Sequence, residues 1–187
     1  LFELACRHDL VLRVVYRPGD FVLAGHCLVH VWPGDALRPE GREAEPADWA
    51  EDIANAFVAG SRRTQTQDID FLIDELVEIA ARALSPGIND PFTAFACLDY
   101  LTGAVAKLST RRLPPAARRD CHGALRVVSR PLTFGDVSEA AFGQLRPYVA
   151  QDRNAALHQM KCLAELTFDV DRPEHREQLL GQAAVLR

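Results

Sequence analysis

Histidine and cysteine are the side chains of this sequence best suited to metal or nucleophilic chemistry. His158 and Cys162 lie four residues apart in a helical pattern, so they share one face of that helix. A closed structural zinc site takes four such ligands, and no second pair has a matching spacing. His26 and His30 share a strand face, but at about 3.3 Å per residue they are about 13 Å apart. We therefore expect no metal site built from protein ligands alone, and no cofactor.

Nucleophilic and acid–base catalysis have equally little support. The sequence contains no Gly-x-Ser-x-Gly motif and no glycine-rich phosphate-binding loop. Asp70, Asp74 and Glu78 recur at four-residue steps, which is typical of the solvated face of an amphipathic helix, where Glu78 can also pair with Arg82. Paired acid–base carboxylates are the alternative interpretation. We predict no catalytic residue and favour a non-enzymatic protein.

Residues 82–95, with the sequence RALSPGINDPFTAF, concentrate helix-breaking residues between two apolar-periodic segments. Pro86 prevents continuation of the first helix, and Gly87 offers the backbone freedom that a tight reversal needs. Asp90 can cap the next helix, with Pro91 at its first position. The stretch therefore predicts a capped hinge between two helices.

The hinge interpretation leaves a group of polar side chains unexplained. Together with the polar segment that precedes the first helix, they predict either a structural polar network or a site for a small molecule or an anion, since a helix start offers free N–H groups. The residues of this predicted cluster are Arg63, Thr64, Gln67, Asp68, Ser85, Asn89, Asp90 and Thr93.

The surrounding pattern predicts an α+β protein that is mainly helical. Its strongest helix covers 68–84, where one apolar stripe contains Ile69, Leu72, Ile73, Leu76, Ile79, Ala80 and Ala83. Further helices are expected at 91–108, 137–150 (shortened or kinked by Pro147), 153–168 and 173–186, with a short one at 114–122.

The β segments are expected near the N-terminus. Strands are predicted at 9–16 and, bent at Gly25, at 21–32, with a possible further strand near 124–130. We expect a small hairpin-like or barrel-like β lobe at 1–34, an acidic linker at 35–47, and a helical domain at 46–187 that packs with the lobe as one unit.

Composition limits the partners of the protein. A net charge of −5 over 187 residues argues against general nucleic-acid binding. The five cysteines are widely spaced and odd in number, which favours a reducing compartment. Between positions 107 and 130, seven basic residues meet one acid. This segment predicts either a solvated basic face or contact with anionic lipid. The lipid contact would use Lys107, Arg111, Arg112, Arg118 and Arg119.

Residues 60–101 closely resemble a bacterial family of predicted membrane proteins, domain-of-unknown-function family 2254. The resemblance rests on the pattern R-T-x-x-Q-D before a helix and R-A-L-S-P-G-I-N-D-P-x-T-A after it, and on RPGDFVLAG upstream. In this sequence the pattern corresponds to Arg63, Thr64, Gln67 and Asp68, and then to residues 82–91, Thr93 and Ala94.

The resemblance implies a soluble region of a longer integral membrane protein of the bacterial inner membrane. No window of the chain itself reaches the about 18–20 apolar residues that a spanning helix needs. We expect a cytoplasmic, homo-oligomeric domain that contacts its own transmembrane region and serves assembly, gating or transport. A ligand-binding site at the predicted polar cluster is the alternative.

Overall fold

The computed structural model describes residues 1–34, 47–64, 66 and 68–186. The chain forms two compact units, and each is described by itself. The first contains Leu1–Arg63 and Pro114–Pro131, and the second contains Thr64–Leu113 and Leu132–Arg187. The expected boundaries at 34 and 47 fall beside residues outside the described part of the chain, and that domain division stays a prediction.

In its described residues, 1–34, 47–63 and 114–131, the first unit is a small mixed sheet with two helices. Its four strands are ordered β2-β1-β4-β3, with β1 antiparallel to β2 and parallel to β4, and β3 antiparallel to β4. The elements are α1 (Phe2–Arg7), β1 (Leu10–Val14), β2 (Val29–Pro33), α2 (Ala47–Asn55), β3 (Ala117–Arg119) and β4 (Leu125–Ser129). The predicted α+β class, with a strand near 124–130, is confirmed.

The core of the first unit follows from the alternation along β1. Leu10 and Leu12 point to the buried face, and Leu12 is paired in register with Val127 of β4. Ala5 of α1 and Ile53 of α2 pack against the same face. A chain segment more than 100 positions away thus completes the N-terminal sheet.

Two local expectations in the first unit are wrong. Residues 114–122 form β3 and a turn instead of a short helix, because Asp120 accepts bonds from the amides of His122 and Ala124 and Gly123 adopts a φ of 82°. Only the last part of the expected strand at 21–32 is a strand, since the chain turns at Gly25 with a φ of 86°.

The second unit is helical, with α4 packed between α3 and α7. In chain order it contains α3 (Ile69–Ala83), α4 (Pro91–Ser109), α5 (Phe134–Ser138), a π-helix (Glu139–Gly143), α6 (Arg146–Val149), α7 (Arg153–Asp169) and α8 (Pro173–Val185). The expected helices at 68–84, 91–108, 153–168 and 173–186 are confirmed.

The expected helix at 137–150 is divided into three parts. The amide of Gln144 donates to the carbonyl of Glu139, which is the five-residue step of a π-helix. Pro147 then lies in the first turn of α6, where its missing N–H is tolerated. The segment is divided as expected, but the break at residues 144–145 comes before Pro147, which lies inside α6.

The apolar face of α3 is wider than the core that it covers. Ile73, Val77, Ala80 and Ala83 are buried, whereas Ile69, Leu72 and Ile79 are 50%, 45% and 47% exposed. The single stripe expected from the sequence therefore divides into a buried half and an exposed half. We call the exposed residues Ile69, Leu72 and Ile79, together with Leu76 beside them, the α3 seam; Leu76 is partly buried and also packs against the core.

Replacement of Leu101 by Ala tests the central position of α4. Leu101 is fully buried, so Leu101→Ala is expected to lower the free energy of unfolding by about 2–5 kcal/mol. Tyr100→Ala is the control, because Tyr100 is 71% exposed and an exposed site usually changes stability by less than about 0.5 kcal/mol. Urea unfolding measures both, and equal losses would contradict this packing.

Candidate functional site

The hinge between α3 and α4 is closed by backbone hydrogen bonds. The amides of Ile88 and Asn89 both donate to the carbonyl of Ser85, at 3.0 and 2.9 Å. The amide of Asp90 reaches back to the carbonyl of Ala83 at 2.8 Å. The Ser85 hydroxyl donates to the carbonyl of Arg82 at 2.7 Å. The predicted hinge is therefore a closed turn, and these hydrogen bonds satisfy its backbone N–H groups and the Ser85 hydroxyl.

The left-handed residue of the hinge is Asn89, with a φ of 50°. Asparagine is one of the few non-glycine residues that adopt this conformation readily. The expectation that Gly87 supplies the unusual backbone is wrong, since only Gly19, Gly25 and Gly123 have positive φ among the described glycines. Asn89 thus has a structural role that explains its residue type without a ligand.

Asp90 caps the start of α4. Its carboxylate accepts from the Thr93 hydroxyl at 2.6 Å and from the Thr93 amide at 3.2 Å. These two bonds, with the hydroxyl contributing most, lower the pKa of Asp90. An anion at this helix start would compete with a carboxylate that is already bound there.

Asp68 performs the same task at the start of α3. It is 5% exposed and accepts from the Phe71 amide at 3.1 Å. A helix of 15 residues is about 22 Å long. The structure therefore places Asp68 and the hinge residues at opposite ends of α3.

The remaining members of the predicted cluster are distributed over both units. Arg63 ends a segment of the first unit, and Thr64 begins the second; both side chains are exposed. Gln67 lies outside the described residues. A common role for the eight residues as a network or a ligand site stays a prediction.

A cavity of about 620 Å³ lies beside α3 in the second unit, near the hinge. Of the predicted cluster, its lining includes only Ser85. The Glu78 and Arg82 side chains form the expected ion pair. The full lining is Asp74, Val77, Glu78, Ala81, Arg82, Ser85, Gln144 and Tyr148. Two carboxylates against one guanidinium make this lining unsuited to an anion.

A second polar cluster lies between α4 and α7. Asp99 Oδ1 is 2.8 Å from His158 Nε2 and 3.8 Å from Cys162 Sγ. The three ligand-type atoms all lie within 4.8 Å of one another. The helical spacing signalled His158 and Cys162, but Asp99 is 59 positions before His158 and joins them only through helix packing.

His158 and Cys162 are positioned by their surroundings, whereas Asp99 is exposed. The His158 ring stacks on Phe95 with centroids 4.6 Å apart and an angle of 15° between the planes. Cys162 is 3% exposed, and burial raises the pKa of its thiol. Asp99 lies at the solvent side, with 63% of its side chain exposed. The cluster is thus buried at the sulfur and open at the carboxylate.

The basic residues expected to contact anionic lipid fall in both units. Lys107, Arg111 and Arg112 belong to the second unit, and Arg118 and Arg119 to the first. All five side chains are exposed. Their contact with lipid stays a prediction.

The cap at Asp90 predicts a pH dependence of stability. Because its pKa is lower in the folded chain, Asp90 stabilises the fold above the ordinary aspartate pKa of about 3.9 and loses that contribution as the pH falls through the folded pKa. Asp90→Asn is therefore expected to lower the melting temperature at pH 7 and to match the wild type in strong acid. Exposed Asp171→Asn is the control. A pH-independent difference would contradict the cap.

None of the helices described within 1–34, 47–64, 66 and 68–186 has the length and apolar character needed to cross a membrane.

Residues 1–165 match the family described as "Predicted membrane protein (DUF2254)". The chain is 29% identical to uncharacterized proteins of Mycobacterium bovis and of Mycobacterium tuberculosis H37Rv, over 98% of its own length and 34% of theirs. No solved structure matches it. The chain spans about a third of these relatives, and it belongs to this family of predicted membrane proteins.

Proposed function

We propose that this chain is a water-facing, non-enzymatic assembly domain of a bacterial integral membrane protein, and that copies of it associate through the α3 seam. The family is described as a membrane protein family, and the matched relatives are about three times as long as the chain. All five cysteines are free, which favours the reducing, cytoplasmic side of the inner membrane.

The proposal of a water-facing domain is supported by charge on the outer helices. Charged side chains occur along the exposed faces of α7 and α8 and would be costly in hydrocarbon. They include Arg153, Lys161, Glu165, Asp169, Glu174, Arg176 and Glu177. Such faces are typical of helices in contact with water.

The observation that carries the assembly proposal is the α3 seam. Its residues follow one another at steps of three, four and three, which is the spacing of a two-helix seam. Three of them are about half exposed although the adjacent stripe of the same helix is buried. A second copy of α3 offers the same spacing, as the two-fold interfaces of homo-oligomers require.

Attachment to a membrane would allow a short seam to hold two copies together. Tethered copies meet at a high effective concentration, so the contact itself can be modest. Membrane attachment also restricts orientation, which favours a symmetric pair. The seam is therefore suited to association within the membrane protein.

The alternative of a small-molecule or anion site at the predicted polar cluster has weaker support. Asp68 and Asp90 each cap a helix start with their own carboxylate. The cavity beside the hinge has more acid than base in its lining. Thermal-shift screening would favour this alternative if an anion stabilised the wild type but not Ser85→Ala.

Polar substitution of the seam tests the assembly proposal. The double variant Leu72→Gln/Ile79→Gln removes the apolar contact. It is therefore expected to raise the dissociation constant of the oligomer, measured on the intact protein in detergent, by at least about tenfold. Light scattering coupled to size exclusion measures the mass.

The matched control is Leu180→Gln/Val185→Gln on α8, where the two apolar side chains are 54% and 65% exposed. This variant should retain the wild-type mass. A monomeric wild type, or an unchanged oligomer in the seam variant, would contradict the proposal.

A further inference from the structure

We propose that Asp99, His158 and Cys162 bind one divalent transition-metal ion, with Zn²⁺ as the best fit. The three side chains provide a carboxylate oxygen, an imidazole nitrogen and a sulfur, and this mixed donor set is typical of Zn²⁺. This departs from the expectation of no metal site, which counted only ligands paired by sequence spacing.

The distances from Asp99 Oδ1 to the other two donor atoms are close to those around a tetrahedral ion, and all three atoms lie within 4.8 Å of one another. Bonds of about 2.0 Å to oxygen and nitrogen and about 2.3 Å to sulfur place ligand atoms about 3.3–3.6 Å apart. The present separations from Asp99 Oδ1 are 2.8 Å to His158 Nε2 and 3.8 Å to Cys162 Sγ. A shift of the exposed Asp99 Oδ1 by about half an ångström, away from His158 Nε2 and towards Cys162 Sγ, would bring both distances into that range.

The scaffold holds two of the ligands in place before an ion arrives. His158 and Cys162 are one helical turn apart on α7, and the stacked Phe95 ring orients the imidazole with Nε2 towards Asp99. α4 and α7 pack extensively against each other and carry all three residues. Little ordering therefore remains to offset the binding energy.

The site has a closed side and an open side. Cys162 is buried, whereas most of the Asp99 side chain is exposed. Three protein ligands leave a fourth position on the solvent side for water, as in zinc sites that are not closed by a fourth residue. On binding, the Cys162 thiol releases its proton to solvent and the thiolate becomes the ligand.

Cobalt provides a direct probe of this site, because Co²⁺ substitutes for Zn²⁺ and is coloured. Titration of the intact protein with Co²⁺ is expected to give one ion per chain, a thiolate-to-cobalt charge-transfer band and the strong visible bands of a tetrahedral site. Addition of Zn²⁺ should remove these bands. Cys162→Ser should abolish the charge-transfer band.

The other two ligands are tested by affinity. Asp99→Asn and His158→Gln should each weaken Co²⁺ binding by more than about tenfold. Asp99 is exposed, so its variant keeps the test valid even if replacement of buried Cys162 disturbs folding. Circular dichroism of each variant verifies the fold.

Two cysteine controls identify the sulfur. Cys97→Ser removes a buried thiol of α4 that is not part of the proposed site, and this variant should bind Co²⁺ like the wild type. Cys27→Ser removes the thiol that lies 3.9 Å from His30 Nδ1 and should also leave the band unchanged. The proposal is overturned if the wild type gives no band, if the band follows Cys27, or if Asp99→Asn and His158→Gln bind as tightly as the wild type.

Discussion

The packing of the helices in the second unit depends on the hydrogen bonds that close the hinge between α3 and α4. The Asp90 amide bonds to the end of α3, and its carboxylate bonds to the first turn of α4. One residue therefore joins the last turn of one helix to the first turn of the next. Because Asn89 adopts the left-handed conformation just before it, the chain reverses within a few residues. This reversal fixes which faces of α3 and α4 meet.

Both functional proposals follow from that arrangement. α4 covers only part of the apolar face of α3, so the α3 seam stays exposed and becomes available to another helix. Besides α3, α4 packs against α7, and this second contact brings Asp99 close to His158 and Cys162. Asp68 and Asp90 of the predicted polar cluster cap the starts of α3 and α4, whereas the three side chains with metal-binding geometry lie between α4 and α7.

Local signals made much of the fold predictable. Asp90 and Pro91 indicated the start of α4, and the apolar periodicity from residue 68 indicated α3; both agree with the structure. Features that arise from distant contacts were not accessible in this way. Residues 117–119 form a strand because they pair with β4. Their short polar pattern, taken without that partner, had suggested a helix. The choice of Asn89 over Gly87 for the left-handed position depends on the path of the whole turn.

The candidate sites show the same limit. Periodicity identified the apolar stripe of α3, but only packing shows that Ile69, Leu72 and Ile79 stay half exposed. Spacing identified His158 and Cys162, but Asp99 joins them through a contact between helices that are 44 residues apart in sequence. Sequence patterns report neighbours along one helix, whereas a site at a helix interface depends on the tertiary fold.

We propose that the exposed apolar half of α3 is an interface between copies in the membrane protein. An electron cryomicroscopy structure of the intact protein in a lipid nanodisc tests this most directly. We expect the α3 helices of two copies to lie side by side, with Leu72 and Ile79 shielded from water. A single copy, or an oligomer in which the α3 seam faces water, would contradict it.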